Sequence, residues 1–310
     1  VSAHRLPSNL IEAIRYFDDP DVCVQFVAAL RWPKGPVCPS CGGKELGYVK
    51  TRRLWQCKDK ACKRQFSVKI GSIFEDSPIP LDKWIASVWL IANSKNGISS
   101  HELARSVGLT QKSAWFVLHR IRLAMQEGTF DKLSGTVEVD ETFIGGKARN
   151  MHPHVRSRKI TGTGGKDKTA VVGVLQRDGK VRAEVVPDRK SRTLQDRVRD
   201  HVEAGSSVYT DSLGSYSGLI DDYAHEVVDH AEQYVNGQVH TNGIENFWSL
   251  LKRGLKGTYV SVQPFHLFRY LDERVFAFNR REATDFERFG MVLRHVAGRR
   301  LTYAELTGKA

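Results

Sequence analysis

The chain has 310 residues, 41% of them hydrophobic, and carries 47 Lys and Arg against 35 Asp and Glu for a net charge of +12. That length accommodates two or three domains with at least one sizeable core, and the basic surplus favours a polyanionic partner, most often nucleic acid, over an acidic or neutral one. Apolar runs stop short of the roughly 18 residues that a membrane span requires, and the first residues lack the apolar stretch of a secretory signal, so the expected compartment is the cytoplasm.

In chain order, residues 1–35 read as an N-terminal helical segment. Over 8–32 the apolar positions Leu10, Ile11, Ile14 and Phe17, then Val24, Phe26, Val27, Leu30 and Trp32, predict a pair of amphipathic helices. Cys23 lies inside this stretch and reads as a core thiol rather than a ligand.

Residues 36–70 contain Cys38-x2-Cys41 and Cys57-x4-Cys62, two close pairs separated by 15 residues. Paired spacing of this kind brings four thiolates to one tetrahedral zinc ion. Pro39 and Gly42 supply turn residues at the first pair, and strands are expected over 48–56 and 65–69, the layout of a zinc ribbon. Four thiolates leave no open coordination position, so Zn2+ is expected to be structural. The alternative, four buried cysteines with unrelated roles, is disfavoured by the pairing. Cysteine pairs in a chain without an export signal also point to a reducing compartment and a metal rather than to disulfides.

After a loop with Pro78 and Pro80, residues 80–128 read as a helix-turn-helix segment. A helix is expected over 82–94, with Trp84, Ile85, Val88, Trp89 and Ile91 as its apolar face. Ser99 with Glu102 forms a capping-box pattern, Gly108 breaks the short helix that follows, and Thr110 can cap the next, whose stripe is Ala114, Leu118, Ile121 and Met125. In this reading Gln111, Lys112 and Ser113 stand at the start of a recognition helix, where base-edge contacts are made. An ordinary helical hairpin is the alternative.

From 135 to 290 the pattern becomes α/β. Strands are expected over 137–144, 169–175, 181–186 and 207–211, with a hairpin turn at Arg177-Asp-Gly-Lys and a helix over 191–204. This order is that of an RNase H-like α/β domain, followed by a tail over 291–310. Residues 145–168 hold seven Lys or Arg and five Gly, too polar and glycine-rich to pack, and read as a basic loop that binds phosphates.

Three acids stand at positions suited to metal chemistry: Asp140 in the first strand, Asp211 at the end of a later one, and Glu245 in a helix. Two-metal phosphoryl transfer needs several carboxylates around a pair of hard cations, and neighbouring strands are close enough to share them. Each acid has a plainer reading. Asp140 can be a surface acid, Asp211 a turn residue before Ser212 and Leu213, and Glu245 the distal member of a capping box with Asn242. Strand alternation sets Glu138 and Thr142 on the face of Asp140 and sets Glu141 on the other. On the helix around Glu245, Ser249, Lys252 and Lys256 share its side, so a cation follows the carboxylate where a phosphate backbone would enter. A solvated helix face is the commoner fate of such lysines.

At these residues the chain resembles the DDE transposases of bacterial insertion sequences that carry an N-terminal zinc ribbon. The likeness runs through the ribbon cysteines, the stretch around Asp140 (Val-Glu-Val-Asp-Glu-Thr-Phe-Ile-Gly-Gly-Lys), Tyr-Thr-Asp-Ser at Asp211, and His-Thr-Asn-Gly-Ile-Glu-Asn-Phe-Trp-Ser-Leu-Leu-Lys around Glu245. It covers nearly the whole chain. It implies Asp140, Asp211 and Glu245 as catalytic acids holding Mg2+ or Mn2+, with Lys252 downstream of the third; from the shared helix face, Lys252 and Lys256 are expected as DNA contacts. Some related elements place asparagine in the third role, which keeps Asn242 and Asn246 as lesser candidates. The resemblance also implies binding to terminal inverted repeats, hydrolysis at the element end, attack of the freed 3′-hydroxyl on target DNA, and a homo-oligomer holding both ends. A non-catalytic DNA-binding regulator and a structure-selective nuclease of the same fold are the alternatives.

Overall fold

The computed structural model describes residues 6–128, 131–146, 151–160, 168–228 and 239–308. The chain forms two compact units, one of Val1–Met125 with Glu282–Ala310 and one of Gln126–Arg281.

The first unit opens with α1 (Leu10–Tyr16) and α2 (Pro20–Arg31). Asn9 and Asp19 cap them by accepting backbone N–H groups, and Pro20 sits at the first helical position, where its missing N–H is harmless. Cys23 is fully buried, its Sγ 3.1 Å from the Phe17 carbonyl oxygen, and burial pushes its thiol up to about 12. It is a core residue, as its apolar context indicated.

The ribbon is a three-stranded antiparallel sheet of β1 (Leu46–Val49), β2 (Leu54–Cys57) and β3 (Gln65–Phe66), in the order β1-β2-β3. The single strand expected over 48–56 is instead a hairpin. The chain turns through a 3-10 segment at Lys50–Arg52, and Arg53 adopts a left-handed φ of 51°, its guanidinium paired with Asp21 of α2. Thr51, Arg52 and Arg53 interrupt the apolar alternation that a continuous strand would need. The strand expected over 65–69 ends at Phe66. Trp32 at the end of α2 packs edge-on against Trp55 with ring centroids 5.3 Å apart, and the Arg31 guanidinium donates to the Val68 and Ile70 carbonyls.

Next come α3 (Leu81–Asn93), α4 (Ser100–Val107) and α5 (Gln111–Met125). Ser99 caps α4 by accepting the Glu102 N–H, Gly108 ends it at φ 63°, and Thr110 Oγ1 accepts the Ser113 N–H at 3.2 Å. Ala114, Leu118, Ile121 and Met125 are buried, so the apolar stripe of α5 is its packed face.

The second unit contains β4 (Thr136–Ile144), α6 (Pro153–Lys159), β5 (Thr169–Gln176), β6 (Val181–Val186), α7 (Ser191–His201), β7 (Ser207–Asp211), β8 (Ala224–Val228), α8 (Asn242–Gly257) and α9 (Leu267–Asn279). Its sheet has the order β6-β5-β4-β7-β8, with β4–β5 and β5–β6 antiparallel and β4–β7 and β7–β8 parallel. One face packs Val137, Val139, Val172 and Val174 with Leu194 and Val198 of α7. The other packs Val171 and Leu175 with Ile244, Phe247, Trp248 and Leu251 of α8. Each such aliphatic side chain, fully buried, stabilises the unit by roughly 1.5–3 kcal/mol. The fifth strand, β8, was not foreseen: Ala224, Glu226 and Val227 are exposed, so no alternation marks it. The stretch expected to be an unpacked basic loop contains α6, started by Pro153 at its first position. Its residues 147–150 and 161–167 lie outside the described residues.

The chain then returns to the first unit with α10 (Asp285–Arg294) and α11 (Tyr303–Thr307), each opened by a reciprocal capping box, Thr284 with Glu287 and Thr302 with Glu305. The expected boundary at 290 falls inside α10. Phe289 packs 5.1 Å from Trp89 of α3 and 5.7 Å from Phe17, which ties this helix to the N-terminal helices. Residues 291–308 are likewise more than a tail, since Leu293, Val296, Leu301 and Leu306 are buried. No described helix is long and apolar enough to cross a membrane.

Candidate functional site

Among the described residues, two groups of side chains are close enough to hold a metal ion. The first is Cys38, Cys41, Cys57 and Cys62, whose sulfur atoms all lie within 4.8 Å of one another. Cys38 and Cys62 approach to 3.5 Å and Cys41 and Cys57 to 3.6 Å. A tetrahedron of thiolates with bonds of about 2.3 Å has edges of about 3.8 Å, so the donor set fits zinc in number, chemistry and size. The first knuckle turns by Gly42 N–H donating to the Cys38 carbonyl, with Gly42 at φ 71°. A Cβ at Gly43 would lie 3.3 Å from Cys41 Sγ, so glycine keeps the thiolate clear. Cys23 is outside the group.

The second group is Asp140, Glu141 and Asp211, again within 4.8 Å. β4 and β7 are parallel, with Glu138 beside Tyr209; continued two residues, that register sets Asp211, the last residue of β7, level with Asp140 in the middle of β4. Asp140 Oδ1 accepts the Glu141 N–H at 2.8 Å, and Oδ2 accepts Trp248 Nε1–H from α8 at 2.9 Å. Burial first, then the charges of Glu141 and Asp211, push the Asp140 carboxyl up to about 7, against the pull of those two donors. Burial likewise raises Glu141, while the Tyr216 hydroxyl (2.8 Å to Oε2) and Arg189 (3.2 Å to Oε1) favour its charged form. Asp211 Oδ1 accepts the Leu213 N–H at 3.2 Å, so it closes a turn as well as joining the group. Crowded, partly buried carboxylates are a fitting environment for a hard divalent cation.

The structure thus unites Asp140 with Asp211 and adds Glu141, which alternation had assigned to the opposite face. β7 ends at Asp211, leaving the edge of β4 open there, and carboxylates from both faces reach round it. The only sequence signal was an acid directly following Asp140. Glu138, on the face of Asp140, is 1% exposed and serves another purpose: Oε1 accepts Arg177 Nε at 2.9 Å and Oε2 accepts the Ile244 N–H at 2.9 Å. Glu245 is exposed in the first turn of α8 and stands outside the carboxylate group. The capping box expected of Asn242 and Glu245 is replaced by a helix that starts one residue earlier, with Thr241 at the cap and Asn242 as the first helical residue. Asn242 and Asn246 are exposed. Lys252 is half-buried; burial lowers its ammonium, and the charge of Asp140 opposes that shift, so the lysine lies in the field of the aspartate. Lys256 is exposed. In the other unit, Gln111 donates to Ser100 Oγ at 2.8 Å, Ser113 bonds Thr110, and Lys112 is exposed.

Residues 132–279 match the ISXO2-like transposase domain, and residues 19–65 match the transposase zinc-ribbon domain. An uncharacterized protein in transposable element ISH50 of Halobacterium salinarum is 31% identical over 245 residues, spanning 74% of this chain and 81% of that protein. The chain belongs to the ISXO2-like transposases of insertion sequences. An uncharacterized transposase-like protein of Haemophilus influenzae is 35% identical over 104 residues, which is 33% of this chain and 84% of that protein. The transposase match contains the whole carboxylate group, and the ribbon match contains all four cysteines. The ribbon match begins at residue 19, ahead of the expected limit at 36. At the end of α2, Trp32 packs on Trp55 and Arg31 donates to the Val68 and Ile70 carbonyls, which connects this helix to the ribbon.

Proposed function

We propose that this transposase binds the terminal inverted repeats of its insertion sequence and performs strand cleavage and strand transfer by in-line phosphoryl transfer. The observation that carries the reading is the meeting of Asp140, in the middle of β4, with Asp211, at the end of the parallel strand β7. The sheet, three antiparallel strands continued by two parallel ones with β4 at the centre, supports an RNase H-like catalytic domain.

Mg2+ or Mn2+, held by Asp140, Asp211 and Glu245, would supply an activated oxygen nucleophile and stabilise the leaving oxygen. Glu245 keeps the third role because its turn of α8 is tied to β4 on both sides, through Ile244 to Glu138 and through Trp248 to Asp140. Water attacks the phosphodiester at the element end, the bond from phosphorus to the 3′-oxygen breaks, and a 3′-hydroxyl and a 5′-phosphate result. That hydroxyl attacks a target phosphodiester, forming one P–O bond as another breaks, and the released target oxygen leaves as a new 3′-hydroxyl. No covalent link to the protein forms. Lys252 and Lys256 contact the phosphate backbone beside the site. The pair α4 and α5, joined at Gly108, acts as the helix-turn-helix, with Gln111, Lys112 and Ser113 toward DNA. The ribbon grips DNA or a partner subunit, the basic residues of 145–168 bind phosphates, and a homo-oligomer holds both ends.

Asp140→Asn tests the reading. End cleavage is expected to vanish while binding to the element end stays near that of the parent, measured on the same labelled duplex. Cleavage at the parental rate overturns the assignment, and products joined to target DNA in the parent reaction distinguish strand transfer from hydrolysis alone.

A further inference from the structure

Asp140 on β4 lies directly opposite Gly173 on β5. A Cβ at Gly173 would stand 2.5 Å from Trp248 Cζ2, 2.6 Å from Trp248 Cη2 and 2.8 Å from Ile244 Cδ1. Real side chains do not approach so closely, so the six-membered half of the indole occupies the space that any other residue at 173 would fill. From this seat the ring aims its single polar atom at the neighbouring strand, and Nε1–H donates to Asp140 Oδ2 at 2.9 Å. Trp248 is 4% exposed and packs among Ile244, Phe247 and Leu251, which fixes the ring plane.

The chemistry of the donor matters. An indole N–H donates only, so it can orient a carboxylate without competing for a cation. With Oδ1 held by the Glu141 N–H, each oxygen of Asp140 has one protein donor, and the carboxylate is clamped in one rotamer with lone pairs remaining on both oxygens. We infer that Trp248, seated in the gap left by Gly173, is a positioning residue that presets Asp140 for metal-dependent strand cleavage. This rests on the catalytic reading of Asp140.

The full-length protein tests it by end cleavage titrated with Mg2+, alongside end binding and thermal unfolding. Trp248→Phe keeps an aromatic ring and removes the donor. The expected result is near-parental end binding with the Mg2+ requirement for half-maximal cleavage raised roughly tenfold, as is typical when an outer partner of a metal ligand is lost. Gly173→Ala touches no reacting group, yet displaces the indole and is expected to raise the same requirement. In the Trp248→Phe background, Gly173→Ala is expected to raise it no further, because the donor is already gone and the smaller ring lacks the two indole atoms that the added methyl would meet, leaving only Ile244 Cδ1 to give way. If the ring only filled space, thermal stability would fall while the Mg2+ requirement stayed parental, and that result overturns the inference. Should the variants at 248 and 173 fail to fold, the indole N–H resonances of Asp140→Asn compared with the parent give a second reading. One of them is expected to shift, and a spectrum with all of them unmoved overturns the inference. Parental cleavage by Asp140→Asn would instead overturn the catalytic reading of Asp140, which keeps the two failures distinct.

Discussion

The Ile244 N–H donates to Glu138 Oε2 at 2.9 Å, so a buried strand carboxylate caps the first turn of a helix 106 residues further along the chain. Two residues on, Asp140 accepts from Trp248. Residues two apart on one strand face are separated by about 6.6 Å, and residues four apart on one helix face by about 6 Å. The two hydrogen bonds therefore act as a matched pair that sets the register of α8 on β4. Glu138 also offers its charge to one of the otherwise unpaired N–H groups at a helix N-terminus, where a carboxylate is favoured.

Glu138→Ala removes this cap and strips Arg177 of its buried partner. The expected loss is about 3 kcal/mol of stability, the scale for breaking a buried pair by removing one member. Glu138→Gln keeps an acceptor for the Ile244 N–H and is expected to lose less, about 1 kcal/mol. Urea unfolding followed by tryptophan fluorescence measures both, and equal losses would show that the amide bond contributes nothing.

Asp140 titrates near 7 in the fold against an ordinary 3.8, chiefly because it is buried. The folded state thus binds a proton more readily than the unfolded chain, so in the metal-free protein this group's contribution to stability falls as pH rises from about 4 to about 7 and levels off above. Divalent cations bind the ionised form and oppose that loss. The expected outcome is that Mg2+ protects against thermal unfolding more at pH 8 than at pH 5.5, and that Asp140→Asn removes the difference. Calorimetric scans at the two pH values, with and without Mg2+, decide it.

Glu245 and Glu141 separate by role. Glu245 is exposed in the first turn of α8, whereas both oxygens of Glu141 are already engaged by Tyr216 and Arg189. Glu245→Gln is expected to lower end cleavage on the order of a thousandfold, since a metal-held charge supplies several kcal/mol to the transition state. Glu141→Gln is expected to keep roughly a tenth of the activity or more, because a conserved acceptor geometry maintains the Tyr216 contact. The reverse order in single-turnover cleavage would make Glu141 the third ligand.

Structural zinc contributes roughly 10–16 kcal/mol of apparent binding energy in small ribbon-like domains. Cys41→Ser, or a strong chelator, is expected to unfold the ribbon around β1, β2 and β3. Zinc content by atomic absorption and proteolysis between residues 36 and 70 report it. A ribbon that stays protease-resistant without zinc would remove the metal from the site.

Much of this protein was legible in its sequence because the signals are local. Two cysteine pairs with turn residues between them specify a zinc site whatever surrounds it. Apolar periodicity predicted α3, α5 and β4 to β7 nearly to their ends, since amphipathic faces are written in consecutive residues. Legibility failed where burial did not alternate. β8 is an edge strand with few buried residues, and the ribbon hairpin turns on Arg53, a residue that rarely adopts positive φ and does so here while paired to Asp21.

The carboxylates divide along the same line. The sequence alone determined that Asp140 lies within one strand and Asp211 at the end of another, and neighbouring strands are close enough for the two carboxylates to meet. Only the tertiary structure decided which other acids join them. Glu141 enters because β7 stops level with Asp140 and opens the edge of β4. Glu138, on the expected face, is withdrawn to cap α8, and Glu245 stays outside at the helix surface. Gly173 carries no motif, yet its missing side chain admits the indole that holds Asp140. Such relations depend on where a distant helix lands on a sheet, and that is settled by packing across the whole unit rather than by any run of neighbouring residues.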